Sequence, residues 1–371
     1  MKTIIKLIRP KTLLWFGIST CLAFGAVIQN GVPSISFIYI IITIIFANIG
    51  AIIVNDLGDI EVDKKSPEEG KRLRPLVTGE VTKKEAIIYS TIAISLSLVV
   101  SLLYDKRATI FSAIVIGFAL SYSLRPTKFC AKPYGSVLFW VVLCFFCYLL
   151  MLNVLSSQEN NFNELLKYAP GWLFISGIIL FMGIAEIIAK DMRDFDNDRE
   201  GGRNTYVNFA GIEISSRIMI FFSWFGFILW IQALYMSDRF PDSIFAILCF
   251  LTGLTWCIQI TIAGLNFIKG YNQRLAATLH QNWTYYYAAM QILTFLSFIK
   301  TSFINKGNLF VKLGRVFSVF SLISFMLTWI TGFTGGNILG RSEEHLFFDS
   351  IILALLSIIC LLDGYLHSKK I

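Results

Sequence analysis

The sequence predicts an all-α fold, a polytopic bundle of membrane-spanning helices. Of the 371 residues, 56% are hydrophobic, and the mean hydropathy of +0.67 is too high for a soluble domain of this length. Only 15% of the residues are charged. They cluster between apolar segments of about 18 to 23 residues, the length that crosses the hydrocarbon core of a bilayer. The chain is therefore expected to be an integral, multi-pass membrane protein.

Eleven such segments follow one another along the chain. We place them at residues 12–30, 35–55, 86–104, 108–124, 134–153, 170–190, 213–235, 243–265, 282–300, 313–332 and 347–367. The first nine lie within residues 1–300, which we interpret as the functional domain. The last two belong to residues 301–371, a C-terminal extension in which Gly335-Gly336-Asn337 is predicted to form a turn.

Lysine and arginine are distributed unevenly over the loops. Among the first nine segments, twenty of these residues lie in loops on the side of the N-terminus and four in the opposite loops. By the positive-inside rule, the N-terminus and the large polar loops are cytoplasmic. The rule fails after residue 300, where Lys306 and Lys312 would lie outside, so the topology of the extension stays open. The net charge of +8 follows from this loop distribution, and no nucleic-acid partner is predicted.

Two short acidic stretches stand at the predicted cytoplasmic ends of the second and sixth segments. Their aspartates are spaced by three and then four residues: Asp56, Asp59 and Asp63 in the first stretch, Asp191, Asp194 and Asp198 in the second. On a helix this spacing puts all three side chains on nearly one face. Because like charges at that spacing repel, each stretch needs a compensating cation. Ligands that are all oxygens suit a hard divalent ion, and Mg²⁺ is predicted.

Basic residues accompany both acidic stretches. They are Lys71, Arg72 and Arg74 after the first, Lys128 and Lys132 with the phenol of Tyr122 after the fourth segment, and Lys190, Arg193, Arg199 and Arg203 around the second stretch. Guanidinium groups match phosphate oxygens, so carboxylates and cations in one site indicate a metal-bound anion between them. The pattern predicts a site for a magnesium diphosphate.

These motifs resemble those of the UbiA family of intramembrane prenyltransferases. The resemblance is carried by Asn55-Asp56-x-x-Asp59-x-x-x-Asp63, by Arg74-Pro75-Leu76, and by Asp191-x-x-Asp194-x-x-x-Asp198. The opening Ile8-Arg9-Pro10-Lys11-Thr12-Leu13 is also similar to the entry into the first helix of that family. The likeness covers about residues 5–300.

The resemblance implies a UbiA-like core of nine helices around a cavity open to the lipid, with about two further helices after it. Members transfer a prenyl chain from an isoprenyl diphosphate to an acceptor, commonly an aromatic ring. The implied metal ligands are Asn55, Asp56, Asp59, Asp63, Asp191, Asp194 and Asp198. The implied diphosphate ligands are Lys71, Arg72, Arg74 and Lys132, and the residues expected to act in catalysis are Asp59, Asp194, Asp198, Arg74, Lys132 and Tyr122.

Other interpretations of the site stay open. The region from Ser66 to Pro75 also looks like the branch that transfers phosphoribose to a polyprenyl phosphate. Transfer to a non-aromatic lipid or sugar phosphate, or terpene cyclisation on the same scaffold, is therefore an alternative to prenylation of an aromatic ring in quinone biosynthesis. A divalent-cation transporter is an alternative of another class, although its acids would be expected near the bilayer midplane.

The sequence supports predictions for three further features. Glu186 is an intramembrane acid that either faces the cavity or lies near the interface. The run from Trp283 to Tyr287 either lines the prenyl tunnel or, as the favoured reading, forms an aromatic belt at the membrane interface. The three histidines are scattered and predict no zinc site.

Overall fold

Helices dominate the described part of the chain. The computed structural model describes residues 2–10, 13–31, 33, 37–64, 69–124, 127–159, 168–200 and 202–299, and within these ranges it contains no β-strand. The α-helices are α1 (Lys2–Ile8), α2 (Ser19–Gln29), α3 (Phe37–Lys64), α4 (Glu69–Arg72), α5 (Pro75–Thr78), α6 (Lys83–Tyr104), α7 (Lys106–Ser123), α8 (Gly135–Glu159), α9 (Ala169–Ile178), α10 (Ile187–Arg193), α11 (Phe195–Glu200), α12 (Tyr206–Ala210), α13 (Ile212–Met236), α14 (Ile244–Lys269) and α15 (Gln273–Ser297). The predicted all-α class is confirmed.

The predicted segments of residues 1–300 coincide with helices wherever the chain is described. The described residues contain six helices that are long and apolar enough to cross a membrane: Phe37–Lys64, Lys83–Tyr104, Gly135–Leu152, Ala169–Arg193, Ile212–Met236 and Ile244–Lys269. The predicted segment 12–30 coincides with a π-helix (Leu13–Ile18) followed by α2, and the segments 108–124 and 282–300 coincide with α7 and α15. Those at 313–332 and 347–367 lie outside the described residues. One compact unit covers Met1–Phe298.

Helix α6 has the two faces expected of a helix at the edge of a membrane bundle. Ile92, Val99 and Leu103 are exposed although they are apolar, and Leu103 retains 77% of its accessible surface. On the inner face, the hydroxyl of Ser97 is buried and donates a hydrogen bond to the Thr43 carbonyl of α3 at 2.9 Å. Small polar residues inside and aliphatic residues outside indicate that the outer face meets lipid.

Helix α3 continues to Lys64, past the predicted end of its segment at residue 55. The first acidic stretch therefore lies on an unbroken helix, as its spacing predicted. Gly58 lets this end of α3 approach α7, because a Cβ atom at Gly58 would lie 2.8 Å from the carbonyl oxygen of Ser123.

The second acidic stretch departs from the single helical face that was predicted. Helix α10 ends at Arg193 and α11 begins at Phe195, while Asp194 between them has φ −91° and ψ 3°. The break is one residue wide, since the Asp194 amide still donates to the Lys190 carbonyl at 3.1 Å and the Asp198 amide to the Asp194 carbonyl at 2.8 Å. Aspartate favours helix starts over helix interiors, which explains a break at this position.

The spanning helix Ala169–Arg193, which corresponds to the sixth predicted segment, is also irregular between α9 and α10. Residues Ile179–Glu186 form a π-helix, in which the backbone hydrogen bonds span five residues instead of four. This wider segment joins α9 to α10 and ends at Glu186.

The aromatic run in α15 is inside the bundle, and the expected interfacial belt is wrong. Trp283 is fully buried, and Tyr286 and Tyr287 retain 5% and 2% of their surface. The reason is that α15 begins at Gln273, ten residues before Trp283, so the run lies within the helix. The indole of Trp230 in α13 meets the Tyr287 ring edge to face at 6.0 Å, which ties α13 to α15.

Helices α9 and α13 cross with a glycine on each side. A Cβ atom at Gly177 would lie 2.8 Å from the Gly226 carbonyl oxygen, and one at Gly226 would lie 2.8 Å from the Gly177 carbonyl oxygen and 2.9 Å from the Phe181 nitrogen. These contacts are with backbone, so an added methyl group forces the helices apart. Small residues are what allow membrane helices to pack this closely.

We expect Gly226→Ala to lower the free energy of unfolding by about 1–3 kcal/mol, as overpacking does elsewhere. The matched control is Gly117→Ala in α7, where a Cβ atom would meet nothing within 4 Å. That change should leave stability equal or slightly higher, because alanine is the better helix former. Unfolding of the purified protein in detergent micelles measures both. Equal stability of the two variants would contradict the tight crossing.

Candidate active site

Two arginines pair with the first acidic stretch, one from the segment before it in the sequence and one from the segment after it. Asp56 is 2% exposed and Asp63 is 4% exposed. The Arg74 guanidinium donates to Asp56 Oδ1 at 3.1 Å and also to Asp63 Oδ2. Arg9, which precedes the first spanning helix, donates to the same Asp56 oxygen. One arginine thus bridges two carboxylates that lie two helical turns apart on α3.

Asp59 faces the other half of the chain. Its Oδ1 accepts a hydrogen bond from Arg203, which follows the second acidic stretch. Lys128 Nζ lies 3.8 Å from the same oxygen and donates to the Gly58 carbonyl at 3.2 Å. Arg203 also lies 3.7 Å from Asp198 Oδ1, so one guanidinium connects the two acidic stretches.

Asp194 receives the reciprocal contact from the first half of the chain. Lys71, which follows the first acidic stretch, donates to Asp194 Oδ1 at 3.0 Å. Arg193 adds two bonds, from Nε to Oδ1 at 2.9 Å and from Nη2 to Oδ2 at 2.7 Å. Burial alone would raise the pKa of Asp194, but Arg193, Lys190 and Lys71 together hold this pKa well below its usual range. Asp194 is therefore fixed as a carboxylate.

The other two aspartates of the second stretch have fewer cationic contacts. Asp191 is fully buried, with Lys190 Nζ 3.5 Å from its Oδ1, and its Oδ2 has no hydrogen-bond partner within the described residues. Burial raises the pKa of Asp198, against the attraction of Lys190 and Arg203. The Oδ2 atom of Asp191 therefore retains acceptor capacity.

Asn55 and Tyr122 lie at the contact of α3 with the helices beside it. The Asn55 amide oxygen accepts a hydrogen bond from the Ser123 hydroxyl at 3.1 Å. The Tyr122 ring packs on Phe139 with 4.4 Å between centroids. Tyr122 thus lies where α7 meets α8, and its part in catalysis stays a prediction.

Comparison with known proteins identifies the family of this chain. The model of the UbiA prenyltransferase family matches residues 14–299. The chain belongs to the UbiA prenyltransferase family. The predicted family is confirmed, and the protein is a membrane-embedded prenyltransferase by family.

Two curated relatives and one solved structure illustrate the range of the UbiA family. The chain is 24% identical over 230 residues to a digeranylgeranylglyceryl phosphate synthase of Pyrococcus horikoshii, covering 61% of this chain and 74% of the relative. It is 30% identical over 96 residues to the mitochondrial 4-hydroxybenzoate polyprenyltransferase of Drosophila melanogaster, covering 25% and 24%. A UbiA homologue from Archaeoglobus fulgidus bound to DMAPP and Mg²⁺ has the same fold, with TM-score 0.57 at 19% identity over 80% of this chain and 99% of that one.

Two of the predicted UbiA-type site residues lie apart from the aspartates. Lys132 is exposed, and its Nζ lies 5.3 Å from the centroid of the Phe129 ring. Arg72 is exposed next to Lys71 and Arg74, which both reach carboxylates. Their assignment to diphosphate binding stays a prediction.

Six residues contact the site although the resemblance implied no ligand role for them. They are Arg9, Lys128, Lys190, Arg193 and Arg203, with His280 behind Arg193. Five of these are cations close to a motif in the sequence, so their proximity was a usable signal. His280 lies 87 residues from Arg193, and nothing in its local sequence indicates the contact.

The donor atoms at this site fit a magnesium ion by type. They are carboxylate oxygens and one amide oxygen, the ligands that a hard divalent cation prefers. The buried Oδ2 of Asp191 has no hydrogen-bond partner among the described residues and is an acceptor of this kind. Across the described ranges, no three His, Cys, Asp or Glu side chains converge on one point that would hold an ion. The aspartates are instead paired with arginine and lysine, so a bound ion would compete with these cations for carboxylate oxygens.

Proposed function

We propose that this UbiA-family protein transfers a prenyl group from an isoprenyl diphosphate to an acceptor in a Mg²⁺-dependent reaction. The observation that carries the proposal is the reciprocal exchange of cations between the two acidic stretches. Lys71 follows the first stretch and pairs with Asp194 of the second, while Arg203 follows the second and pairs with Asp59 of the first. Carboxylates and cations from both halves of the chain therefore meet in one site, as binding of a metal diphosphate requires.

The metal would be held by oxygens from both acidic stretches. We assign Asn55, Asp59 and Asp63 on α3, with Asp191, Asp194 and Asp198 around the α10–α11 break, and Asp56 as a support. Bound Mg²⁺ would neutralise the charge that develops on the departing diphosphate. Asp56 is the most enclosed by arginines, from Arg9 and Arg74, and is therefore assigned a structural part in this set.

The cations of the site would bind the diphosphate oxygens. Lys71, Lys128 and Arg203 each reach a carboxylate through a long side chain that is only partly buried, with 18%, 22% and 16% of the side chain exposed. Side chains of this kind are able to turn from a carboxylate to a phosphate. Their positive charge would stabilise the leaving group where negative charge accumulates, and the apolar bundle would shield the allylic cation from water.

The acceptor class is proposed from the motifs and from the relatives. In the described part of the chain, seven cations pair with the six aspartates, and this single excess positive charge is offset by the diphosphate itself. The candidates are an aromatic acid such as a hydroxybenzoate and a glyceryl phosphate. We keep the aromatic acceptor as the prediction from the motifs. The glyceryl phosphate is the second candidate because the relative matched over the longer span bears that name.

The orientation of the site is proposed from charge. The excess of lysine and arginine in the loops that carry both acidic stretches favours the cytoplasmic face. A soluble isoprenyl diphosphate would then reach the site from the cytoplasm, with its prenyl chain in the bundle.

The test is release of diphosphate by purified protein supplied with farnesyl or geranylgeranyl diphosphate. The acceptor panel contains 4-hydroxybenzoate, dihydroxynaphthoate, homogentisate and geranylgeranylglyceryl phosphate, each with and without Mg²⁺. Release that needs Mg²⁺ and one acceptor is the expected result, and it names the acceptor class. Release without an acceptor would replace transfer by cyclisation or hydrolysis. No release, together with Mg²⁺ flux into liposomes, would favour a transporter.

A further inference from the structure

A chain of polar contacts leads from inside the bundle to the second acidic stretch. Glu186 Oε1 lies 2.9 Å from His280 Nε2, and His280 Nδ1 lies 3.0 Å from Arg193 Nη1. The other edge of the same guanidinium makes the two bonds to Asp194 at 2.9 and 2.7 Å. Glu186 is 7% exposed as a residue, and the side chain of His280 is 18% exposed. This series of polar contacts is thus largely shielded from solvent.

These distances determine which ring nitrogen of His280 carries its proton. A guanidinium nitrogen only donates, so His280 Nδ1 must accept from Arg193 and cannot carry a proton. Nε2 then carries the proton and donates it to the Glu186 carboxylate. A doubly protonated ring would place an N–H and a positive charge 3.0 Å from the guanidinium. The contacts therefore select a neutral imidazole with hydrogen on Nε2.

Arg193 is held on both edges of its guanidinium group. One edge is occupied by Asp194 and the opposite nitrogen by His280, so rotation toward a diphosphate would break three hydrogen bonds. This distinguishes Arg193 from Lys71, which reaches Asp194 through a single ammonium group on a flexible side chain.

We propose that Glu186 and His280 are positioning residues, which fix Arg193 and through it the carboxylate of Asp194. Arg193 is then a fixed support and not a diphosphate ligand. The inference rests on the proposed function, because it assigns Asp194 to the metal diphosphate. Glu186 stands at the end of the π-helical segment and His280 on α15, so the support joins two helices behind the acidic stretch.

The first test compares substitutions that remove or keep the contacts. His280→Phe keeps a planar ring without hydrogen bonds, and Glu186→Leu removes the acceptor, whereas Glu186→Gln keeps an acceptor oxygen for Nε2. Loss of a group that orients a metal ligand lowers metal affinity or activity by about 10- to 100-fold. We expect H280F and E186L to raise the Mg²⁺ concentration for half-maximal rate by at least about tenfold, with little change in the KM of the acceptor.

The conservative variant and a distant control separate positioning from general damage. E186Q should recover most of the Mg²⁺ response that E186L loses. Thr261→Val removes a different interhelical hydrogen bond, from Trp224 Nε1 at 2.9 Å, and should leave the Mg²⁺ response unchanged. Equal responses of wild type, E186L and H280F would overturn the proposal, and so would equal loss in E186Q and E186L.

The second test does not depend on activity. The chain contains three histidines, so ¹⁵N labelling of histidine gives few signals, and their comparison with those of H280F assigns His280. We expect a protonated Nε2 and an unprotonated Nδ1 in the wild type at neutral pH. A protonated Nδ1 would overturn the proposal even if the protein is active. If no diphosphate is released by the wild type, the proposed function fails, while this measurement still decides how His280 is held.

Discussion

The Asp194→Ala variant is expected to lose about a hundred- to a thousandfold in kcat at saturating Mg²⁺, the scale of a preorganised electrostatic contact removed from a water-excluded site. Asp194 has the most strongly stabilised carboxylate of the second acidic stretch, since Lys71 and Arg193 both donate to it. Its loss would remove one proposed metal ligand and the carboxylate to which both cations donate. Diphosphate release from farnesyl or geranylgeranyl diphosphate measures the effect.

The control for this prediction lies two residues away. Asp196 belongs to the same short segment and is exposed. We expect Asp196→Ala to keep kcat within about threefold of wild type, as for a surface substitution away from the site. An Asp194→Ala enzyme with wild-type rate would contradict the assignment of this carboxylate. Equal losses in both variants would show that the segment matters and that its particular carboxylate does not.

Arg74→Met is expected to lower the free energy of unfolding by about 3–5 kcal/mol. The substitution keeps an unbranched side chain but removes the charge that Asp56 and Asp63 share. Both carboxylates are almost completely buried, and within the described residues only Asp56 has a second arginine, Arg9. Removing one partner of a buried ion pair is costly because the other charge stays without compensation.

Unfolding of the detergent-solubilised protein measures this loss, with Arg72→Met as the control. Arg72 is exposed, and its substitution should change stability by less than about 0.5 kcal/mol. The double variant Asp63→Asn with Arg74→Met should recover part of the loss, because Asp63, the carboxylate that loses its paired arginine, is then neutral. A stability of Arg74→Met equal to that of Arg72→Met would contradict the bridging role.

Much of the helical architecture could be predicted from the apolar segments and the positions of the charged residues. Apolar segments of spanning length located the helices, because a bilayer requires about twenty apolar residues for each crossing. The spacing of Asp56, Asp59 and Asp63 predicted a shared helical face, and α3 continues through all three. The same spacing in the second stretch did not reveal the break at Asp194. The break is one residue wide and keeps the backbone hydrogen bonds on both sides of it, so it needs no change in the spacing of the aspartates.

The pairing of charges could not be read from the sequence. Lys71 and Asp194 are 123 residues apart, and Arg203 and Asp59 are 144 apart, so each partner depends on how the two halves pack. For the same reason, the contact of Glu186 with His280 has no local signal. Nor does composition distinguish Arg74, which bridges two buried carboxylates, from the exposed Arg72 two residues before it.

The number of residues in the π-helical segment Ile179–Glu186 determines how the second acidic stretch is oriented. Each residue of an α-helix turns the chain by about 100°. A π-helical segment accommodates more residues in each turn than an α-helix does, so the helix beyond it is out of phase with an unbroken α-helix. Converting Ile179–Glu186 to an ordinary α-helix without removing a residue would therefore rotate Asp191 and Asp194 relative to α9. A homologue with an unbroken α-helix here would keep these carboxylates in the same orientation only if it lacked about one residue of the segment.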